Sequence, residues 1–175
     1  MNEKENSNSI HYLTFTLDGE VFALDISKVR EVLDYAKITK IPRTPEFMRG
    51  VINLRGNVVP VIDVRLKFGL TETQRTVDTC IIIVEVQMDE DNIVLGALAD
   101  SVKEVLEIEP STVEPAPKMG TRLNTKFIDG MAKQDDSFII ILNIDKIFST
   151  DELTLVNESS QLQPEEKETL ESQDA

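Results

Sequence analysis

Side chains that usually carry chemistry are scarce here: 175 residues include one cysteine, one histidine, no tryptophan and only 5% aromatic residues. The lone Cys80, in "TCIIIVEV", has no partner for an internal disulfide and reads as a small core or sheet residue. Any histidine-based metal centre or proton shuttle would rest on His11 alone, near the start of the first strand. Walker, G-x-G-x-x-G, G-x-S-x-G and HExxH motifs are all missing, so phosphate-cradling, dinucleotide, nucleophile-elbow and zincin chemistry have no sequence support. Basic residues are also few, 18 against 32 acidic, for a formal net charge of −14. Such a chain, without a basic stripe, repels phosphate backbones and anionic membrane surfaces; neither nucleic acid nor direct membrane binding is expected. No apolar run approaches the roughly 18 to 20 residues of a spanning helix, and "MNEKENSNS" is too polar for a signal peptide, so a cytoplasmic protein is expected.

What the chain does contain is written twice. "DGEVFALDISKVREVL" (18–33) aligns with "DNIVLGALADSVKEVL" (91–106) at a constant offset of 73. "FMRGVINLRGNVVPVIDVRLKF" (47–68) aligns with "FIDGMAKQDDSFIIILNIDKIF" (127–148) at an offset of 80, with Phe47/Phe127, Gly50/Gly130 and Phe68/Phe148 coincident. Two such blocks in the same order point to duplication of a module too small to bury its own surface, and hence to a pseudo-two-fold pair. The halves are expected at about 10–70 and 78–150. Residues 1–9 are expected to be disordered. So is the tail, 151–175, where eight acidic residues and one lysine give −7. With −1 for the first nine residues, about −6 is left for 10–150.

Each module reads as strand, turn, strand, short helix, strand, hairpin, strand. Asp18-Gly19 breaks "IHYLTFTLDGEVFALDI" as a hairpin signal. In "DISKVREVL", Ile26, Val29, Val32 and Leu33 fall at helical spacing behind Asp25 as N-cap, predicting a short helix. "FIIIL" predicts a buried strand followed by a turn capped at Asn143. The proline-bearing stretch 108–126 reads as extended and packed rather than as a free linker. Short strands with few helices mean an all-β class, either small barrels or a sandwich.

"RGVINLRGNVVPVIDVRLKFG" (49–69) predicts a rigid hairpin that presents Arg55 at its tip. Gly56-Asn57 can take the positive φ values of a tight turn, and Pro60 predicts an edge strand or a bulge. The repeat puts Asp135-Asp136 at the equivalent tip, so the two ends carry opposite charge.

Four segments, "FTLDGEVFALDISKVREVL", "IPRTPEFMRGVINLRGNVVPVIDVRLKFG", "EPAPK" and "FIDGMAKQDDSFIIILNIDKIF", closely resemble the CheW family of bacterial chemotaxis adaptors over residues 12–150. The resemblance implies two SH3-like five-stranded β-barrels packed with pseudo-two-fold symmetry. It also implies a non-enzymatic adaptor without cofactor or metal, coupling transmembrane chemoreceptors to the histidine kinase CheA through a homologous barrel domain, and recruited to membrane-associated arrays. By the same resemblance Arg55, Glu31 and Val32 belong to the receptor-contacting region, while Val29, Gly50, Asn53 and Gly56 match positions that bind kinase or receptor. Core packing for Val29 and backbone spacing for Gly50 remain open alternatives. Two other functions compete: a purine-binding module, which lacks a phosphate-cradling loop, and an enzyme using paired carboxylates among Glu31, Asp63 and Asp100.

Overall fold

The computed structural model describes residues 9–88, 90–115 and 125–159. Its strands are β1 (Ile10–Leu17), β2 (Glu20–Asp25), β3 (Val29–Asp34), β4 (Met48–Leu54), β5 (Asn57–Ile62), β6 (Cys80–Met88), β7 (Asp91–Ala99), β8 (Ser101–Ile108), β9 (Val113–Glu114), β10 (Ile128–Gln134) and β11 (Ser137–Leu142). Two helices accompany them, α1 (Val64–Lys67) and α2 (Thr150–Ser159). The fold is all-β, as two curled sheets of the SH3-like barrel type. One has the order β3-β6-β7-β5-β4; the other, β8-β1-β2-β11-β10-β9, gains a sixth strand of two residues.

Neither sequence half closes a sheet of its own. β3, β4 and β5 of the first half share a sheet with β6 and β7 of the second, while β1 and β2 join β8 to β11. The crossing points are equivalent. Val61↔Gly96 and Ile62↔Ala97 form the parallel pairing of β5 with β7, and Ile141↔Ala23 recurs between β11 and β2 at the offsets of 80 and 73 read from the sequence. The register shifts at Met48/Gly50 and Ile128/Gly130 also coincide under the offset. So do the bonds from Asp63 N to Phe47 O (2.7 Å) and from Asn143 N to Phe127 O (2.8 Å).

Strand exchange divides the core into three. Six buried residues on one face of each sheet make two small clusters, including Ala23, Ile139 and Ile141 in one and Val61, Ile81 and Ile83 in the other. Twenty-six line the space between the sheets, so the interface is the main core. At its centre the ring pairs Phe68–Phe127 (5.7 Å) and Phe47–Phe148 (5.4 Å) are symmetry equivalents.

Several expectations are corrected. The helix predicted across 26–33 lasts one 3-10 turn, Ile26–Lys28, capped as expected by Asp25, whose carboxylate accepts from Ser27 N at 2.9 Å. Val29 then begins a strand, because "VREVLD" also alternates with period two and β6 offers an open edge. β5 is not an edge strand: it lies between β7 and β4. Pairing with β7 covers Val61 and Ile62, leaving Pro60 just outside it, and the irregularity falls in β4. Positive φ falls on Arg55 (50°) and Gly56 (89°), one residue earlier than Gly56-Asn57, because Asn57 pairs with Leu54 and leaves a two-residue turn.

The tail is the largest correction, since 150–159 is helical. Ser149 and Glu152 form a capping box: the hydroxyl accepts from Glu152 N (3.1 Å) and the carboxylate from Ser149 N (2.8 Å). Leu153 and Val156, three apart on one face, enter the main core. The expectations for 1–8, for 160–175 and for Ala116–Lys118 of "EPAPK" lie outside the described residues. Within the long connection, β9 pairs with β10, in keeping with a packed segment.

The exchange makes a direct prediction. A fragment of residues 1–77 should stay unfolded by circular dichroism and amide dispersion, because β3 lacks β6 and β5 lacks β7; mixing it with 78–175 should restore the native spectrum. A folded, monomeric 1–77 fragment would show that the halves are self-sufficient.

Candidate functional site

The turn joining β4 to β5 is locally expensive. Arg55 sits at φ 50°, a left-handed conformation that costs a residue with a Cβ roughly 1 kcal/mol. Two other two-residue hairpin turns among the described residues place Asp18 (φ 54°) and Asp135 (φ 53°) there, and aspartate tolerates the conformation through its short polar side chain. Gly56 follows at φ 89°, and Asn53 Oδ1 accepts from its N–H at 2.8 Å, so the tip is held in one shape.

The Arg55 guanidinium donates to Glu31 on β3. β3 and β4 are opposite edges of their sheet, so this ion pair spans a curled sheet across its open side. Arg55 is 69% exposed and Glu31 31%. An exposed pair of this kind adds at most about 1 kcal/mol to stability. Its clearer effect is to aim the two side chains. They line a groove of about 310 Å3 whose apolar floor includes Leu54, Val58, Val59 and Ile83, and one of whose walls is Asn157 of α2.

The other expected site residues disperse. β3 alternates, with Val29, Glu31 and Leu33 half-buried and Arg30, Val32 and Asp34 exposed, so Val32 is on the face opposite Glu31 and outside the groove. Val32 is 40% exposed; its repeat counterpart on the other free edge, Val105, is exposed as well. Val29 packs against the main core. Gly50 is buried at φ 146°, and a Cβ there would stand 2.2 Å from Thr39 O, where the segment after β3 crosses β4. Glu114 O stands 2.8 Å from a Cβ placed on Gly130, so spacing is a property of both modules. Asn53 and Gly56 shape the tip, and α2 was not foreseen at all.

The three carboxylates of the enzyme alternative are held by three different arginines. Glu31 meets Arg55; Asp100 takes Arg65 at 2.8 Å. Asp63 is fully buried and receives Arg49 (3.0 Å) together with the N–H and hydroxyl of Thr73 (2.8 Å each). Charges so neutralised are structural links rather than a proton-transfer pair. Burial, helped by Asp34 and Asp78, pushes the Cys80 thiol up, which disfavours the reactive thiolate. No helix among the described residues is long and apolar enough to cross a membrane.

The CheW-like domain family matches residues 11–152. The chain belongs to the CheW family. It is 34% identical over 146 residues to chemotaxis protein CheW of Klebsiella aerogenes, covering 83% of this chain and 86% of that one. Chemotaxis protein CheW of Helicobacter pylori is 30% identical over 149 residues, with 85% and 87% covered. Among solved structures, the scaffolding protein TtCheW from Thermoanaerobacter tengcongensis superposes with a TM-score of 0.71 at 40% identity, covering 82% of this chain and 90% of that one. This CheW-family chain is therefore a chemotaxis scaffold by homology, with the all-β class expected from its strand pattern.

Two substitutions separate surface from spacing. Val32→Asp should leave the free energy of urea unfolding within about 0.5 kcal/mol of the native protein, since the side chain is 40% exposed on a free edge. Gly50→Ala should lose about 1–3 kcal/mol in the same measurement, because backbone has to move to admit the methyl group. A destabilised Val32→Asp or an unaffected Gly50→Ala would reverse these assignments.

Proposed function

We propose that this protein is a non-enzymatic adaptor that couples the cytoplasmic tips of chemoreceptors to the histidine kinase CheA, and that the groove at Arg55 and Glu31 is its receptor-docking site. The single observation that carries the reading is the Arg55 turn. A position that favours aspartate, asparagine or glycine holds an arginine at positive φ, paired across the open side of the sheet and lining a groove with an apolar floor. Strained placement of an exposed arginine is explained by contact with a partner better than by stability.

A helical hairpin suits such a groove: one apolar helix face meets Val58 and Val59, and polar residues at its edge meet Arg55 and Glu31. The kinase would engage a surface away from this groove, through its homologous barrel domain, with Val32 on the exposed face of β3 as one candidate contact. Val29 and Gly50 then act from within, by packing and spacing. The adaptor does no chemistry. It fixes receptor and kinase relative to each other, so that a receptor conformation changes kinase activity only as far as the complex differs in free energy between the kinase's on and off states. Recruitment to membrane-associated arrays follows from receptor binding without any membrane contact by the protein itself.

The test is a pull-down with a purified chemoreceptor cytoplasmic fragment and CheA. The native protein should bridge the two; Arg55→Asp should retain the kinase and lose the receptor fragment, because an acid at the tip repels Glu31 and reverses the charge offered to the partner. A native protein that binds neither would refute the adaptor reading. An Arg55→Asp variant that couples normally would remove the groove from it.

A further inference from the structure

A lysine ammonium lies against the aromatic centre of the main core. Lys67, on α1, is 13% exposed, and its ammonium lies 4.8, 5.6 and 5.8 Å from the ring centres of Phe47, Phe148 and Phe127. It donates to both oxygens of Glu152 on α2 at 2.9 Å. Burial opposes ionisation of Glu152, but the bonds from Lys67 and Ser149 outweigh it and hold the carboxyl below its ordinary range. The repeat places Ile147 where the first half has Lys67, and Ile147 is buried. The ring pairs Phe68–Phe127 and Phe47–Phe148 are two-fold equivalents; this cation breaks their symmetry on the side that receives α2.

We infer that Lys67 is a positioning residue for receptor docking: through Glu152 it fixes α2 so that Asn157 forms a wall of the Arg55 groove. A ten-residue helix is marginal on its own, so α2 depends on what seats it. Leu153 and Val156 supply burial, which is non-directional and tolerates sliding or rotation. The Lys67–Glu152 pair is directional, and it acts in the first turn, about one and a half turns from Asn157. Sliding α2 by one residue would shift the groove wall by about 1.5 Å and rotate it by roughly 100°. Lys67 itself does not line the groove, so it acts on binding indirectly, and the groove-lining element it bonds directly is the helix.

The inference rests on the adaptor reading, and the experiment keeps the two apart. Full-length Lys67→Met, Lys67→Arg and the native protein are compared for binding to the receptor cytoplasmic fragment and to CheA, with hydrogen exchange followed across 150–159. Lys67→Met should bind the receptor fragment about tenfold more weakly and leave CheA binding unchanged, with faster exchange confined to α2. Lys67→Arg should restore both, because a guanidinium also pairs with a carboxylate and stacks on rings. Receptor binding by Lys67→Met within twofold of native, unchanged α2 protection in that variant, or failure of Lys67→Arg to restore binding would each overturn the inference. If Lys67→Met does not fold, Glu152→Gln reads the same contact from its more exposed partner, with the same expected outcomes. Native protein that fails to bind the fragment refutes the adaptor reading, and the exchange measurement still decides whether Lys67 holds the helix.

Discussion

Everything else in this molecule depends on apolar burial between two sheets that have exchanged strands. A half-length module of this sequence would keep neither small cluster whole, because each draws on both halves, and what is left is too little to offset the conformational entropy of ordering its chain. Because β3 crosses to β6 and β8 crosses to β1, neither half can leave without breaking two sheets. The fold is therefore cooperative at the level of the pair, and its rigidity comes from the larger shared core. A scaffold needs that property, since a partner bound at one end can influence another only through an element that does not yield.

Symmetry governs the polar links as well as the apolar core. In the first half Asp63 caps α1 and receives Arg49; in the second Asn143 caps the 3-10 turn at Ile144–Lys146 and donates to Asp129 at 3.2 Å. Positions 49/129 and 63/143 thus keep a bonded pair while exchanging an arginine–aspartate link for an aspartate–asparagine one. The first-half version is buried and also ties down Thr73 in the connection to β6, so the two-fold pattern supports a job that only one copy performs. Arg65 adds a second tie, bonding Thr71 and Asp100 and reaching Asp18. Those bonds join the connection to the adjacent β1–β2 and β7–β8 turns, where Asp18 N also donates to Asp100 at 2.8 Å.

Much of this was legible because the governing physics is local or periodic. Repeat offsets of 73 and 80 gave the equivalence of Phe47, Gly50 and Phe68 with their counterparts, and alternation gave the strands. Strand exchange was not legible: nothing in a strand's own residues says which copy of its partner it will meet, and loop geometry decides. The 29–34 segment satisfied helical and strand spacing together, and the free edge of β6 settled it. Helix α2 had a local signal, Ser149-x-x-Glu152 ahead of Leu153 and Val156, but the acidity of the following tail outweighed a two-residue anchor until its seat in the core was known. At the site, Arg55 and Glu31 were both named, yet their pairing crosses a sheet and required its curvature. Val32 was grouped with them by the resemblance alone; in a strand adjacent residues face opposite ways, so it lies away from Glu31 and outside the groove.

The opposite ends of the molecule now read as one design used twice and then pulled apart. Arg55 and Asp135 share a turn, a φ angle and a place in their sheets, so backbone energetics alone would favour the same small acidic residue at both. Keeping arginine at one of them accepts local strain, and a largely exposed ion pair returns too little stability to compensate. The same end has the apolar-floored groove, the salt bridge across the sheet and the helix keyed by a cation that the other copy replaces with isoleucine. The arginine at the turn and its exposed ion pair are unfavourable or neutral for folding taken alone. Convergence of these departures from two-fold symmetry on one groove is what a binding site imposed on a duplicated scaffold would leave behind.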